Sequence, residues 1–272
     1  MTATTTAPVS RILGVHVSAA GLLRSEWTKF RSLRSSSIIL FVSVALTIGL
    51  GALISGVTAS HWADAKPARR AGFDAVTTSL DGVRMAELAI GVLGVLLISS
   101  EYTTGMIRAS LTAVPRRVPV LWAKMGVFSV ITAVTALVST FVAFYLGQSL
   151  LSSAHINVAI GAPGALRQVI GAALFLVVTG IIGMALGAIL RNTAAGISTL
   201  VAVFFVLPPL MQLLPTNWAD NITPYLPANA GEALWAHGDT TQLSPWTGFG
   251  VMCLWALAAV IGAVFVLRSR DA

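Results

Sequence analysis

Charge is what this sequence has least of. Asp, Glu, Lys and Arg together supply 10% of the 272 residues, against about 25% in a soluble globular domain. That is too little to cover a water-facing surface, which excludes an ordinary soluble enzyme or binding domain. Cysteine is almost absent: Cys253 stands alone, so no intrachain disulfide can form, and nothing has the spacing of a zinc or redox site. No GxxxxGK[ST] loop occurs, so the chain does not bind ATP by that route. There is no HExxH and no paired intramembrane aspartate. His16, His61, His155 and His237 all lie outside the long apolar runs, which leaves a nucleophile such as Ser198 without a base. Catalysis by this chain is not expected.

What is present is hydrophobicity in long blocks. Apolar residues make up 56% of the chain and the mean hydropathy is +0.85. The charges cluster between runs of 18 or so uncharged residues, the length that crosses a bilayer. The pattern predicts an all-α integral membrane protein with six transmembrane helices, at about 36–57, 85–100, 124–150, 165–190, 195–214 and 246–267. Span 2 is short and is expected to continue into the segment before it. Span 5 meets Pro208-Pro209, which should kink or stop the helix because two backbone donors are missing. Residues 1–18 read as a disordered tail and 19–272 as one membrane domain. No apolar core precedes Ser36, so a cleaved signal peptide is not expected.

Orientation follows from the basic residues. With the N-terminus inside, twelve of the 17 fall in inner segments: Arg11, Arg24, Lys29, Arg31, Arg34, Arg108, Arg116, Arg117, Lys124, Arg191, Arg268 and Arg270. Lys66, Arg69, Arg70, Arg84 and Arg167 fall outside. The positive-inside rule favours both termini in the cytoplasm. Trp27 and Trp122 near the inner face, and Trp62, Trp218 and Trp246 near the outer, fit interfacial belts. The net charge of +7 is distributed along span ends rather than gathered in one patch, which argues against a nucleic-acid partner. The midplanes of the spans hold no ionisable residue, which weighs against an ion-coupled transporter. Glu87 and Arg167 stand near outer span ends, where snorkelling to water is the expected behaviour. Gly183 and Gly187 form a GxxxG pair that reads as close helix packing.

Two stretches next to the spans invite a functional reading. Residues 21–35 have the pattern of an amphipathic helix, with Leu23, Trp27, Phe30 and Leu33 recurring at three and four residues and Arg24, Lys29 and Arg31 on the other faces. Such a helix lies in the membrane interface; a simple basic anchor and a functional element fit it equally. Residues 101–117, EYTTGMIRASLTAVPRR, leave span 2 at Glu101, turn at Gly105 and carry an apolar side of Ile107, Leu111 and Val114 before Pro115. This short helix either lies on the inner leaflet or docks on a cytoplasmic partner that covers its stripe. The segment 208–245 is rich in proline, with Pro208, Pro209, Pro215, Pro224 and Pro227 among them, and has no Lys or Arg; its apolar pieces Met211–Leu214 and Tyr225–Trp235 are too short to span, so they are expected to be interfacial or re-entrant.

These residues carry a resemblance. The lead-in SEWTKFRSLRSS before span 1, EYTTGMIRASLTAVPRR after span 2 and LWAKM opening span 3 resemble the membrane subunits of type-2 ABC transporters, specifically the small six-span bacterial permeases. The resemblance covers the whole chain in length and span number, while its wording is confined to residues 22–36 and 101–125. It implies a connecting helix that includes Glu26, Trp27, Lys29 and Arg31, and a coupling helix that includes Glu101, Gly105, Ile107, Arg108 and Leu111. It also implies short re-entrant helices between spans 5 and 6. It further implies two copies of a separate ATP-binding subunit that carry ATP and Mg, a second permease copy or a paralogue, and the bacterial plasma membrane. In the family spans 2 and 5 line the path, which here offers Leu93, Leu97, Phe204, Phe205 and Leu207, apolar enough for an amphipathic or hydrophobic cargo. The alternatives from the residues are an ion-coupled secondary transporter or channel, and a membrane subunit that only anchors or regulates a partner.

Overall fold

The computed structural model describes residues 19–103, 117–236 and 243–269. Among them there is no strand, and six helical segments are long and apolar enough to cross a membrane. The protein is a multi-pass membrane protein. The spans are α2 (Arg34–Ser60), α5 (Val83–Thr103), α6 (Arg117–Leu151), α7 (Ala165–Leu190), a composite fifth span over Thr193–Met211, and α12 (Pro245–Ser269). The expected positions all hold, and the helices run two or more residues beyond most of the expected ends. Residues 1–18, expected as a disordered tail, lie outside the described residues.

Burial on α2 is inverted relative to a helix of a soluble protein. The buried residues of α2 are Ser36, Ser43, Thr47, Gly51, Ser55 and Thr58, all small or polar. Its apolar residues Ile38, Phe41 and Leu53 point outward and are exposed. Lipid tails are as apolar as leucine, so helices associate through small residues that permit close approach and through local hydroxyl hydrogen bonds. Thr47 Oγ1 accordingly donates to the Ser43 carbonyl at 2.9 Å. The tightest pair is α5 with α7. A Cβ on Gly183 would strike the Gly91 carbonyl oxygen, and one on Gly187 would come within 2.7 Å of the Val95 carbonyl oxygen. The GxxxG pair therefore faces α5 as a packing device.

Two expectations need amendment. The N-terminal helix α1 is Ala19–Ser32 rather than 21–35, because Leu33 takes an extended conformation and α2 starts at Arg34. Its apolar stripe divides between the bundle and the exposed side. Glu26, Lys29 and Phe30 turn inward, whereas Leu23, Trp27 and Leu33 stay exposed. The second concerns the prolines. Of the two outcomes expected there, a kink or a stop, the fifth span does not stop at Pro208; it runs as α8 (Thr193–Val201), a π turn (Ala202–Val206) and α9 (Leu207–Met211). Pro208 and Pro209 cannot donate to carbonyls four residues back, and the widened π turn lies directly before them.

At the end of the bundle opposite α1, short helices fill the connections. These are α3 (Pro67–Ala71), α4 (Ala75–Leu80), α10 (Thr216–Ile222) and α11 (Pro227–Glu232). The preceding helix α4 reaches span 2 through only Asp81 and Gly82, so span 2 does extend backwards, across a break. Gln212–Leu214 is exposed at the rim, with Leu213 the most exposed large apolar side chain among the described residues. The stretch from Leu226 to Trp235 packs inward instead: Leu234 and Trp235 are fully buried, and the Trp235 ring lies 6.0 Å from that of Phe175 on α7.

Candidate functional site: an ion-pair knot at the α1 end

Two lysines and two glutamates from three helices meet at the end of the bundle where α1 lies. Lys124, near the start of α6, places Nζ 2.7 Å from Glu26 Oε2 and 2.8 Å from Glu101 Oε1. Lys29 Nζ lies 2.8 Å from Glu26 Oε1 and 3.4 Å from Glu101 Oε1. Glu26, Glu101 and Lys124 are all buried, and Lys29 is partly covered. Charges balance two against two, which is the condition for holding four ionised groups away from water. Each contact is a charge-assisted hydrogen bond, about twice as strong as a neutral one.

Local structure explains how the sequence builds this. Glu26 and Lys29 are three residues apart on α1, one helical turn, so both face the same neighbours. Glu101 sits in the last turn of α5, where a negative charge works against the helix dipole. Its place there is accounted for by the lysines of α1 and α6, not by helix capping. Burial alone would disfavour an ionised Glu26, but Lys124 and Lys29 outweigh it and hold its carboxyl below the ordinary value. Burial likewise opposes the Lys29 charge, and Glu26 and Glu101 more than compensate, raising the ammonium above its usual value.

Beside the knot a cavity of about 180 Å³ is lined by Glu26, Lys29, Leu97, Glu101, Lys124 and Phe128. A few residues away, Arg191 takes a left-handed conformation at the end of α7 (φ 51°), stands over the Tyr102 ring at 5.1 Å and donates to the Val266 carbonyl at 3.3 Å. The end of α5 is thus held to α1, α6, the α7–α8 turn and α12 together. Among the described residues the arrangement offers no group of three His, Cys, Asp or Glu that could hold a metal. It is suited to mechanical transmission, since displacement of Glu101 must drag α1 and α6 or break buried ion pairs.

The residues singled out in the sequence fall as follows. Glu26, Lys29 and Glu101 converge on the knot; Trp27 and Arg31 lie on the exposed side of α1. Gly105, Ile107, Arg108 and Leu111 lie outside the described residues. Leu93 is buried in the core, Leu97 borders the α1-end cavity, and Leu207 is half-buried. Phe204 and Phe205 border a different cavity, at the opposite end. In the sequence Lys124 reads only as one inner charge of a span end. The available signal was arithmetic: two acidic residues, Glu26 and Glu101, flank spans 1 and 2 among basic neighbours, and one lysine opens the next span.

Glu87 departs from expectation. It does not snorkel: it is 4% exposed, and its Oε2 has no hydrogen-bond partner among the described residues. Nearby, Arg84 pairs with Glu232, reaches Asp81 at 3.4 Å and stands 5.4 Å from the Trp235 ring centre. Arg167 does not run to the rim alone either, since Nη1 donates to the Leu234 carbonyl at 2.5 Å. No protein-family model matches this chain, and no curated protein matches it.

Proposed function

We propose that the chain is the membrane-spanning permease subunit of an ATP-driven exporter whose ATPase is a separate cytoplasmic polypeptide. The observation that carries this reading is the knot of Glu26, Lys29, Glu101 and Lys124. It ties the helix before span 1, the end of span 2 and the start of span 3 at the point where residues 104–116 begin. Those residues would form the coupling helix, with Gly105, Ile107, Arg108 and Leu111, and α1 the interfacial connecting helix with Trp27 and Arg31 toward lipid. A push by an ATPase dimer on that segment would then reach three spans at once. The exposed tryptophans Trp27 and Trp122 at the α1 end, and Trp218 and Trp246 at the other, agree with belts at two interfaces. The basic-residue count favours an α1 end on the cytoplasmic side, and α10 and α11 would be the re-entrant elements on the outer side. A second permease copy completes the path.

The test is co-expression with ATP-binding subunits encoded beside this gene, followed by purification and ATPase measurement. Co-purification of one such subunit, with basal hydrolysis changed by Glu101→Gln and by Leu111→Asp, is the expected result. An ATPase that neither co-purifies nor responds to either substitution overturns the reading. One observation favours a second reading, an ion-coupled transporter: Glu87 is buried inside span 2, and its Oε2 has no hydrogen-bond partner among the described residues. Transport that follows a proton or sodium gradient without ATP would select it.

A further inference from the structure

The outer side of α1 carries cations without counterions. Glu26 is the one acidic residue among the first 60, and the knot turns it inward against Lys29 and Lys124. What stays outside is Arg24 and Arg31 on α1 and Arg34 at the start of α2, all three exposed. Among the described residues none of them makes an ion pair. A guanidinium keeps its charge in any protein environment, so this side holds three positive charges and no negative one.

Apolar side chains are interleaved with these charges. Trp27 follows Arg24 by three residues and precedes Arg31 by four, a spacing that puts all three on one face of the helix. Trp27 is exposed there, with Leu23 and Leu33 exposed beside it. The knot also fixes the depth of this face. Glu26 bonds to Lys124 near the start of α6, and Lys124 bonds in turn to Glu101 in the last turn of α5. The helix is therefore held level with the ends of two spans, where the hydrocarbon core gives way to phospholipid headgroups.

Charge complementarity then selects among lipids. A zwitterionic headgroup brings its own cation to a surface that already has three. An anionic headgroup brings a phosphate alone, which a guanidinium can take with two parallel N–H donors. An acidic soluble protein matches the charge, but an occupant at headgroup depth that also covers Leu23, Trp27 and Leu33 is lipid.

We propose that this face binds anionic phospholipid. Headgroup phosphates of the leaflet at the α1 end accept from Arg24, Arg31 and Arg34, while Leu23, Trp27 and Leu33 enter the acyl boundary. Lipid capture needs no ATPase, so the inference stands or falls separately from the proposed function.

The experiment is native mass spectrometry of the purified full chain in detergent, titrated with dioleoylphosphatidylglycerol or dioleoylphosphatidylcholine. The expected result is a first lipid held at least about fivefold more tightly when it is the anionic one, the scale of one arginine at an anionic surface. Replacing all three arginines together, Arg24→Gln, Arg31→Gln and Arg34→Gln, should bring the two lipids to within about twofold. Lys66→Gln with Arg69→Gln removes two exposed cations at the opposite end of the bundle and should leave the preference intact. Thermal unfolding midpoints identify a variant that has lost its fold. On wild-type protein, phosphatidylglycerol with a photoreactive diazirine beside its headgroup should label residues 20–34 more than any other segment. No preference in wild type, a preference that survives in the folded triple variant, an equal loss in the Lys66 and Arg69 variant, or labelling that avoids α1 overturns the proposal. The labelling arm alone decides if the triple variant does not fold.

Discussion

Lys124 Nζ stands 2.7 Å from Glu26 Oε2, and the two residues are 98 positions apart in the sequence. The same ammonium also holds Glu101 at 2.8 Å. Lys124→Met would leave two buried carboxylates facing each other with only Lys29 between them. Removing one partner of a buried pair costs about 3–5 kcal/mol, because an uncompensated charge remains. Lys29 has a side chain 29% exposed, so Lys29→Met should cost about 1 kcal/mol, the upper range for partly solvated pairs. Thermal or urea unfolding in detergent checks the ranking. The double variant Glu26→Gln with Lys124→Met should be more stable than Lys124→Met alone; if it is less stable, the pair does not interact as described.

The pH dependence of α1 docking follows from the same groups. Glu26 is held below the ordinary carboxylate value: burial opposes its charge and the Lys124 and Lys29 contacts prevail. Its contribution is therefore complete above that ordinary value and is lost as pH falls through the lowered one. Lys29 is raised, by Glu26 and Glu101 against the opposing effect of burial. Its contribution is complete below the ordinary lysine value and is lost only as pH rises through the raised one. Docking should hold across neutral pH and loosen at both extremes, at acid pH through Glu26 and at strongly alkaline pH through Lys29. A fluorophore on α1, paired with a quencher on the start of α6, would report this. Glu26→Gln should abolish the acid limb attributed to that residue.

How much of this was readable beforehand depended on where charge sits. The six spans were legible because basic residues punctuate them. Span 4 was placed at 165–190, and the structure has the same limits, since Gly164 (φ 85°) and Arg191 (φ 51°) turn the backbone left-handed at either side. Faces were harder to read. On α1 Leu23 and Trp27 of the apolar stripe stay exposed, while Glu26 and Lys29 turn inward beside Phe30. On α2 Ser43, Thr47, Ser55 and Thr58 do the same. A soluble-protein reading of amphipathicity points the wrong way when the surroundings are lipid. Glu87 was missed for a related reason: proximity to a span end says nothing about which way a side chain faces.

The contact of α5 with α7 predicts a steric effect with no charge in it. A Cβ on Gly183 meets the Gly91 backbone, which cannot rotate away as a side chain could. Gly183→Val should cost about 1–3 kcal/mol through overpacking. Gly126, where nothing lies near an added Cβ, is the control, and Gly126→Ala should leave the unfolding midpoint unchanged or raise it slightly. Matching losses at both positions would mean that the helices are not packed as described.

Gln148 gives the last and most specific test. It is buried on α6 and uses both ends of its amide. Nε2 donates to the Ala75 carbonyl at 2.9 Å and to Ser79 Oγ at 3.0 Å, while Oε1 accepts from the Val158 amide at 2.8 Å. One side chain therefore fastens α4 and the loop after α6 to the same helix. Gln148→Leu should leave the Val158 amide unsatisfied at about 1–3 kcal/mol and remove one tie to α4, where the Ala75 carbonyl keeps the Ser79 hydroxyl at 2.9 Å. Amide hydrogen exchange should then quicken over residues 75–80 and at Val158 together. Gln148→Glu separates the two halves. A carboxylate still accepts from Val158 but cannot donate to the Ala75 carbonyl, so α4 should lose protection while Val158 keeps it. If Gln148→Glu instead exposes Val158 and spares α4, the amide is oriented the other way round.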